Sequence, residues 1–173
     1  MKTRLLRILL AATLASGAAF AQNTDFGLLD GFTPCGTCPA GTALQSFQMN
    51  YARQVLETMA GGLYLEFPLI LGTANPAGNV AIFFAPGLRF KLATQSRLSY
   101  YGVAGVGIAS FGGTAVGGRT ASGTVDFGGG IDARLTRHLS VRGEARDFVT
   151  RSGLGGFRGR NHPIYSVGIG LHF

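Results

Sequence analysis

The feature that most constrains this chain is its last nine residues, Tyr165-Ser166-Val167-Gly168-Ile169-Gly170-Leu171-His172-Phe173. Odd positions are all apolar or aromatic, and even positions are all small or polar. Strict alternation of this kind predicts a strand with two unlike faces. The stretch finishes on an aromatic with no residue after it. At the end of a lipid-facing strand, an aromatic sits at the membrane–water interface. The competing reading is the terminal strand of a soluble sandwich, and the rest of the chain has to separate the two.

The same period recurs throughout. Strands are expected at residues 25–32, 43–56, 62–71, 79–92, 97–109, 122–135, 139–149 and 162–173. In 62–71, for example, Leu63, Leu65, Phe67, Leu69 and Leu71 share one face and Tyr64 and Glu66 the other. The first strand alternates only loosely. Between the strands, short turns near 58–61, 93–96 and 136–138 take turns with longer loops at 33–42, 72–78, 110–121 and 151–161. An even strand number puts both termini on the short-turn side, and the parity requires the weak strand at 25–32. Eight strands of ~11 residues take about 90 residues, which the chain can supply with loops to spare.

The start is different. Met1-Lys2-Thr3-Arg4-Leu5-Leu6-Arg7 is basic, an apolar run follows, and Ala19-Phe20-Ala21 has the small-any-small form of a cleavage site. Residues 1–21 read as a secretory signal peptide and 22–173 as one domain. Removing the signal takes Lys2, Arg4 and Arg7 from a formal charge of +7. The remaining basic residues are spread rather than clustered, which argues against nucleic acid as a partner. No later apolar run is long enough for a membrane helix; the longest, 67–72, is interrupted by Pro68. A membrane-spanning form of this chain must therefore close its strands into a barrel, because lipid cannot satisfy an open edge.

The ending resembles the carboxy-terminal signal of bacterial outer-membrane β-barrels, with Ser166, Gly168, Leu171 and Phe173 in its defined positions. The whole 22–173 segment resembles the small eight-stranded members of that family. The resemblance implies an all-β, antiparallel, up-and-down transmembrane barrel in the bacterial outer membrane, with periplasmic termini. It also implies assembly by the barrel-assembly machinery.

The polar faces carry Glu66, Arg89, Lys91, Asp126, Asp132, Arg134, Arg142, Glu144 and Arg146. Acids and bases on adjacent strands could form a proton path or an active site. An eight-stranded barrel is just wide enough for its own side chains, so a salt-bridged plug is the expected reading. Cys35-Gly36-Thr37-Cys38 has the spacing of a redox motif, but Pro34 and Pro39 flank it and no helical period follows. In an exported chain the expectation is a Cys35–Cys38 disulfide in the first long loop. His138, His162 and His172 are scattered, with no two at metal-ligand spacing. No motif of the lipid A deacylase type occurs, and Ser152 with His162 is the one pair that could be named for catalysis. Gly112-Gly113 and Gly128-Gly129-Gly130 lack the lysine of a phosphate loop and are expected to relieve crowding.

The expectation is a monomeric outer-membrane protein with a structural or surface-interaction role, without enzymatic activity, metal or cofactor. Its partners would be outer-membrane lipid and lipopolysaccharide. Arg119, Arg151, Arg158 and Arg160 fall in long loops that contain no acid, and arginine binds phosphate bidentately. The alternatives are a narrow pore for small hydrophobic solutes and a lipid-modifying barrel enzyme.

Overall fold

The structure, a computed structural model, describes residues 24–33, 44–74, 79–92, 97–113, 118–151 and 160–173. The expected signal peptide lies outside them, as does the Cys35/Cys38 pair. The strands are β1 (Thr24–Thr33), β2 (Leu44–Thr58), β3 (Gly61–Ala74), β4 (Asn79–Phe84), β5 (Gly87–Leu92), β6 (Leu98–Gly113), β7 (Gly118–Arg134), β8 (Leu139–Thr150) and β9 (Asn161–His172). β4 and β5 form one stave of the wall, divided at Ala85-Pro86. Every pairing is antiparallel, each stave pairs with its sequence neighbours, and β1 closes on β9. The result is a closed eight-stave barrel, as the alternation predicts, including the loosely patterned first strand.

Closure is made by the two ends of the chain. β1 and β9 pair from Asp25↔His172 to Phe32↔Tyr165. The Phe173 amide donates to Thr24 O at 2.9 Å and the Thr24 amide donates to Phe173 O at 3.2 Å. Gly168 is required at this seam: a Cβ there would lie 2.0 Å from Leu28 O. The break at Ala85-Pro86 follows from proline having no N–H for the ladder. The Val106 amide donates to Pro86 O at 3.1 Å instead. Here the backbone presses so close to β6 that a Cβ on Gly107 would come within 2.0 Å of Phe84 O.

Two of the four expected long loops are short. Residues 110–113 and 118–121 continue β6 and β7 in register, from Ser110↔Ala121 to Gly113↔Gly118, and β3 runs on to Ala74. Glycine and alanine are depleted in strands, so these glycine-rich stretches read as loop. The ladder across to a neighbouring strand holds them extended. The asymmetry between the two ends of the barrel therefore rests on residues 34–43 and 151–160.

The outward face is an apolar belt. Phe47, Tyr51, Phe67, Leu88, Val106, Val125, Phe127 and Val167 are all exposed. A patch this continuous is untenable in water and natural against lipid. Asp30, Arg53 and Asp147 interrupt it. Inward, the barrel has two storeys. The storey nearer the termini is polar and charged. The storey nearer the long loops is apolar: Ile70, Phe83, Phe111, Phe148 and Ile164 are buried together, with Phe83 edge-on to Phe111 at 5.7 Å.

Candidate functional site

Inward-facing positions of five staves bring the charged storey together. Arg146 on β8 is its centre. Its Nη1 donates to Asp126 Oδ2 at 2.8 Å, its Nη2 to Glu66 Oε1 at 2.7 Å and its Nε to Glu144 Oε1 at 2.7 Å. Tyr101 OH donates to the other oxygen of Glu144 at 2.7 Å, and Gln48 donates to Oε1. Nearer the termini, Arg142 Nη2 donates to Asp25 at 2.8 Å and its Nε to Asp132 at 2.7 Å. Lys91 Nζ donates to Asp132 at 2.6 Å. Arg89 joins the groups, donating to both Asp25 and Glu66, with its guanidinium 4.7 Å above the Tyr101 ring.

Missing side chains make room for these long ones. A Cβ on Gly130 would meet Tyr101 OH at 2.3 Å, and one on Gly27 would meet Arg142 Nη1 at 2.9 Å. Five carboxylates thus face four permanent cations, all buried and mutually bonded, the arrangement in which buried charge is tolerated.

The structure puts Glu66, Arg89, Lys91, Asp126, Asp132, Arg142, Glu144 and Arg146 in this network. Arg134 does not belong to it. It is the last residue of β7, exposed at the mouth nearer the termini, because one turn of the pleat beyond Asp132 the strand reaches water. Asp25 and Tyr101 are members that the sequence pattern does not single out. Asp25 stands at the inward-facing start of β1, where the alternation is weakest.

The mouth nearer the termini holds a cavity of about 320 Å³ lined by Tyr64, Lys91, Arg134, Asp25, His172 and their neighbours. Of these, His172 reaches with Nε2 to 2.9 Å from the Oγ of Ser140, which does not line the cavity, and its Nδ1 lies 3.1 Å from Asp25 Oδ2. These are the distances of a nucleophile–base–acid relay. Ser140, however, is completely buried and lies within 3.5 Å of Asp132 Oδ1 and Gly170 O as well. The three side chains link β8, β9 and β1. The ligand atoms of Asp25, Asp132 and His172 also lie within 4.8 Å of one another. The Lys91 ammonium and the Arg142 guanidinium already fill the cation positions around the two carboxylates.

Of the pair named from sequence, Ser152 lies outside the described residues. His162 is buried in the apolar storey, 5.9 Å from the Phe83 ring, with Nε2 3.2 Å from Thr150 Oγ1. His138 Nδ1 is 2.8 Å from His172 O and ties a turn to the last strand. In the terminal signature, Ser166 Oγ donates inward to Gln48 at 3.2 Å, Gly168 makes the close approach to β1, and Phe173 is exposed at the outer edge.

At the opposite mouth, Arg151 and Arg160 are exposed on neighbouring strand ends, joined by the Thr150 amide donating to Arg160 O at 2.8 Å. Among the described residues neither has an acid within ion-pair distance. Arg119 is in β7, opposite Gly112, rather than in a loop. Arg158 lies outside the described residues.

No protein-family model matches this sequence, and no curated protein matches it. Solved structures do match in shape. Neisserial surface protein A superposes with a TM-score of 0.65 at 12% identity, covering 87% of this chain and 96% of that one. The outer membrane enzyme PagL gives 0.57 at 18%, covering 85% and 99%. Ail, the attachment invasion locus protein of Yersinia pestis, gives 0.55 at 13%, covering 87% and 96%. With this strand number, this belt and these neighbours, the chain has the fold of the small eight-stranded outer-membrane β-barrels.

Proposed function

We propose that the chain is an integral barrel of the bacterial outer membrane that neither conducts nor catalyses, and that it presents its long-loop end at the cell surface. The observation that carries this reading is the filled interior. A bonded charge network occupies one storey and packed rings and aliphatics the other, which supports a barrel filled by its own side chains rather than a conducting one. The Ser140 hydroxyl is buried behind His172, which supports the non-catalytic reading. The periplasm would hold the termini, and Ser166, Gly168, Leu171 and Phe173 would be read by the assembly machinery. At the surface, Arg151 and Arg160, with Arg119 and Arg158, would contact lipopolysaccharide phosphates.

The test is a planar-bilayer recording of the purified barrel, with a lipid-hydrolysis assay beside it. Silence in both is expected. Stepwise conductance would establish the pore reading instead, and released fatty acid the enzymatic one.

A further inference from the structure

The outer wall of the barrel has a notch at Gly123. Its carbonyl is held by the Arg151 amide at 3.0 Å, and Gly123 pairs with Ile108. A Cβ built on Gly123 meets nothing within 4 Å. This glycine therefore differs from Gly107, Gly130 and Gly168, whose missing side chains let the protein pack against itself. Here the absent side chain opens space that no part of the described chain fills.

The notch belongs to a groove of about 650 Å³ on the lipid-facing wall. Val106, Ile108, Val125 and Val149 form its sides, and Arg151 and Arg160 stand at its loop-side end. Val106, Ile108 and Val125 are among the exposed apolar side chains of the belt. Beyond Ile108 and Gly123, the next outward positions on β6 and β7 are Ser110 and Ala121, so the belt ends at the level of the two arginines. The nearest outward carboxylate on β8, Asp147, accepts the His162 amide at 2.9 Å. The groove thus joins a shallow apolar depression to two cations at its loop-side end.

We infer that this groove binds one acyl chain of a phosphorylated glycolipid of the lipopolysaccharide type, with its phosphate held by Arg151 and Arg160. The apolar walls select a chain; the two arginines at its end select a phosphate, which a guanidinium contacts through parallel N–H donors. The choice of a lipopolysaccharide-type lipid over an anionic phospholipid rests on the proposed orientation, with the long-loop end outside. In-vitro binding does not depend on that orientation, or on whether the barrel conducts, so failure of this site leaves the non-conducting, non-catalytic reading standing, and a conducting barrel leaves this site standing.

The experiment measures retention of lipid A, of phosphatidylglycerol and of phosphatidylcholine by the purified barrel in detergent, using native mass spectrometry. Lipid A should be retained most tightly. Arg151→Gln with Arg160→Gln should weaken it about tenfold, more at low salt than at high, as charge-assisted contacts require. Gly123→Leu should weaken lipid A with both arginines intact, by filling the notch from a Cβ that meets nothing within 4 Å. Equal retention by the unchanged protein and the folded Gly123→Leu variant would overturn the site. Phosphatidylglycerol retained as tightly as lipid A would overturn the choice of lipid. Because a variant can misfold, the unchanged protein is also crosslinked to lipid A carrying a photoreactive acyl chain. Adducts concentrated on Val106, Ile108, Gly123, Val125 and Val149 support the site, and adducts spread evenly around the belt refute it.

Discussion

Replacing Arg146 with methionine tests whether the charged storey holds the barrel together. Arg146 donates to Asp126, Glu66 and Glu144, all buried. Without it, Glu66 keeps Arg89, and Glu144 keeps Tyr101 and Gln48. Asp126 keeps nothing: Arg146 is its one ion-pair partner among the described residues, and its Oδ1 already has no hydrogen-bond partner. Breaking a buried ion pair from one side costs about 3–5 kcal/mol, which lowers the folding equilibrium constant by roughly two to three and a half orders of magnitude. Arg146→Met combined with Asp126→Asn removes the stranded charge and should regain part of that loss. The assay is urea unfolding of the barrel in detergent, followed by circular dichroism because the chain has no tryptophan, with linear extrapolation of each curve. An Arg146→Met variant within about 0.5 kcal/mol of the unchanged protein would refute the reasoning, being the range of an ordinary surface substitution. So would a double variant no more stable than the single one.

Gly168→Val should prevent closure of the β1–β9 seam, since its Cβ would lie 2.0 Å from Leu28 O, whereas Gly123→Ala should be neutral because nothing lies within 4 Å; heat-modifiable migration on gels reads both, and a normally migrating Gly168→Val protein would contradict the seam geometry. Deleting Phe173 removes two backbone hydrogen bonds to Thr24 together with the terminal aromatic, so its level in outer-membrane fractions should fall severalfold, and normal levels would count against both roles. Cys35 and Cys38 are expected to be bonded to each other in the exported protein; thiol labelling under denaturing, non-reducing conditions should find neither free, and two labelled thiols would exclude the bond.

Alternation makes most of the wall legible in the amino-acid sequence itself. Leu63 to Leu71 and Tyr165 to Phe173 each declare an inward and an outward face from local sequence alone, because a strand's period is fixed by its backbone. Parity then demands the weak strand β1, whose own residues Gly27 and Gly31 blur its pattern. Strand ends are less legible. Residues 110–113 and 118–121 have the composition of a loop and are held extended by each other, and that pairing is not a local property. The break at Ala85-Pro86 hides inside a continuous alternation that resumes in phase after it. In the candidate site, single residues can be named from the sequence, but not their partners. Asp25 meets Arg142 and His172 across nearly the length of the chain, a contact made only by closing the barrel. Arg134 has the inward parity of its neighbours and still leaves the network, because parity gives the face and not the depth.

Depth also explains why the two storeys differ. The charged storey lies between the mouth near the termini and the middle of the wall, and its arginines bridge strands far apart in sequence: Arg142 joins β8 to β1 and β7, and Arg89 joins β5 to β1 and β3. Such bridges give their full energy only when all staves are in register, so this storey favours one closed arrangement over slipped ones. Phe83, Phe111, Phe148 and Ile164 impose no comparable geometry; they fill volume and exclude water beneath the long loops. A barrel registered at one end and sealed at the other is a rigid support for whatever its long-loop end contacts. It follows that variation in residues 34–43 and 151–160 can change what the protein binds without disturbing the ion pairs that hold its wall.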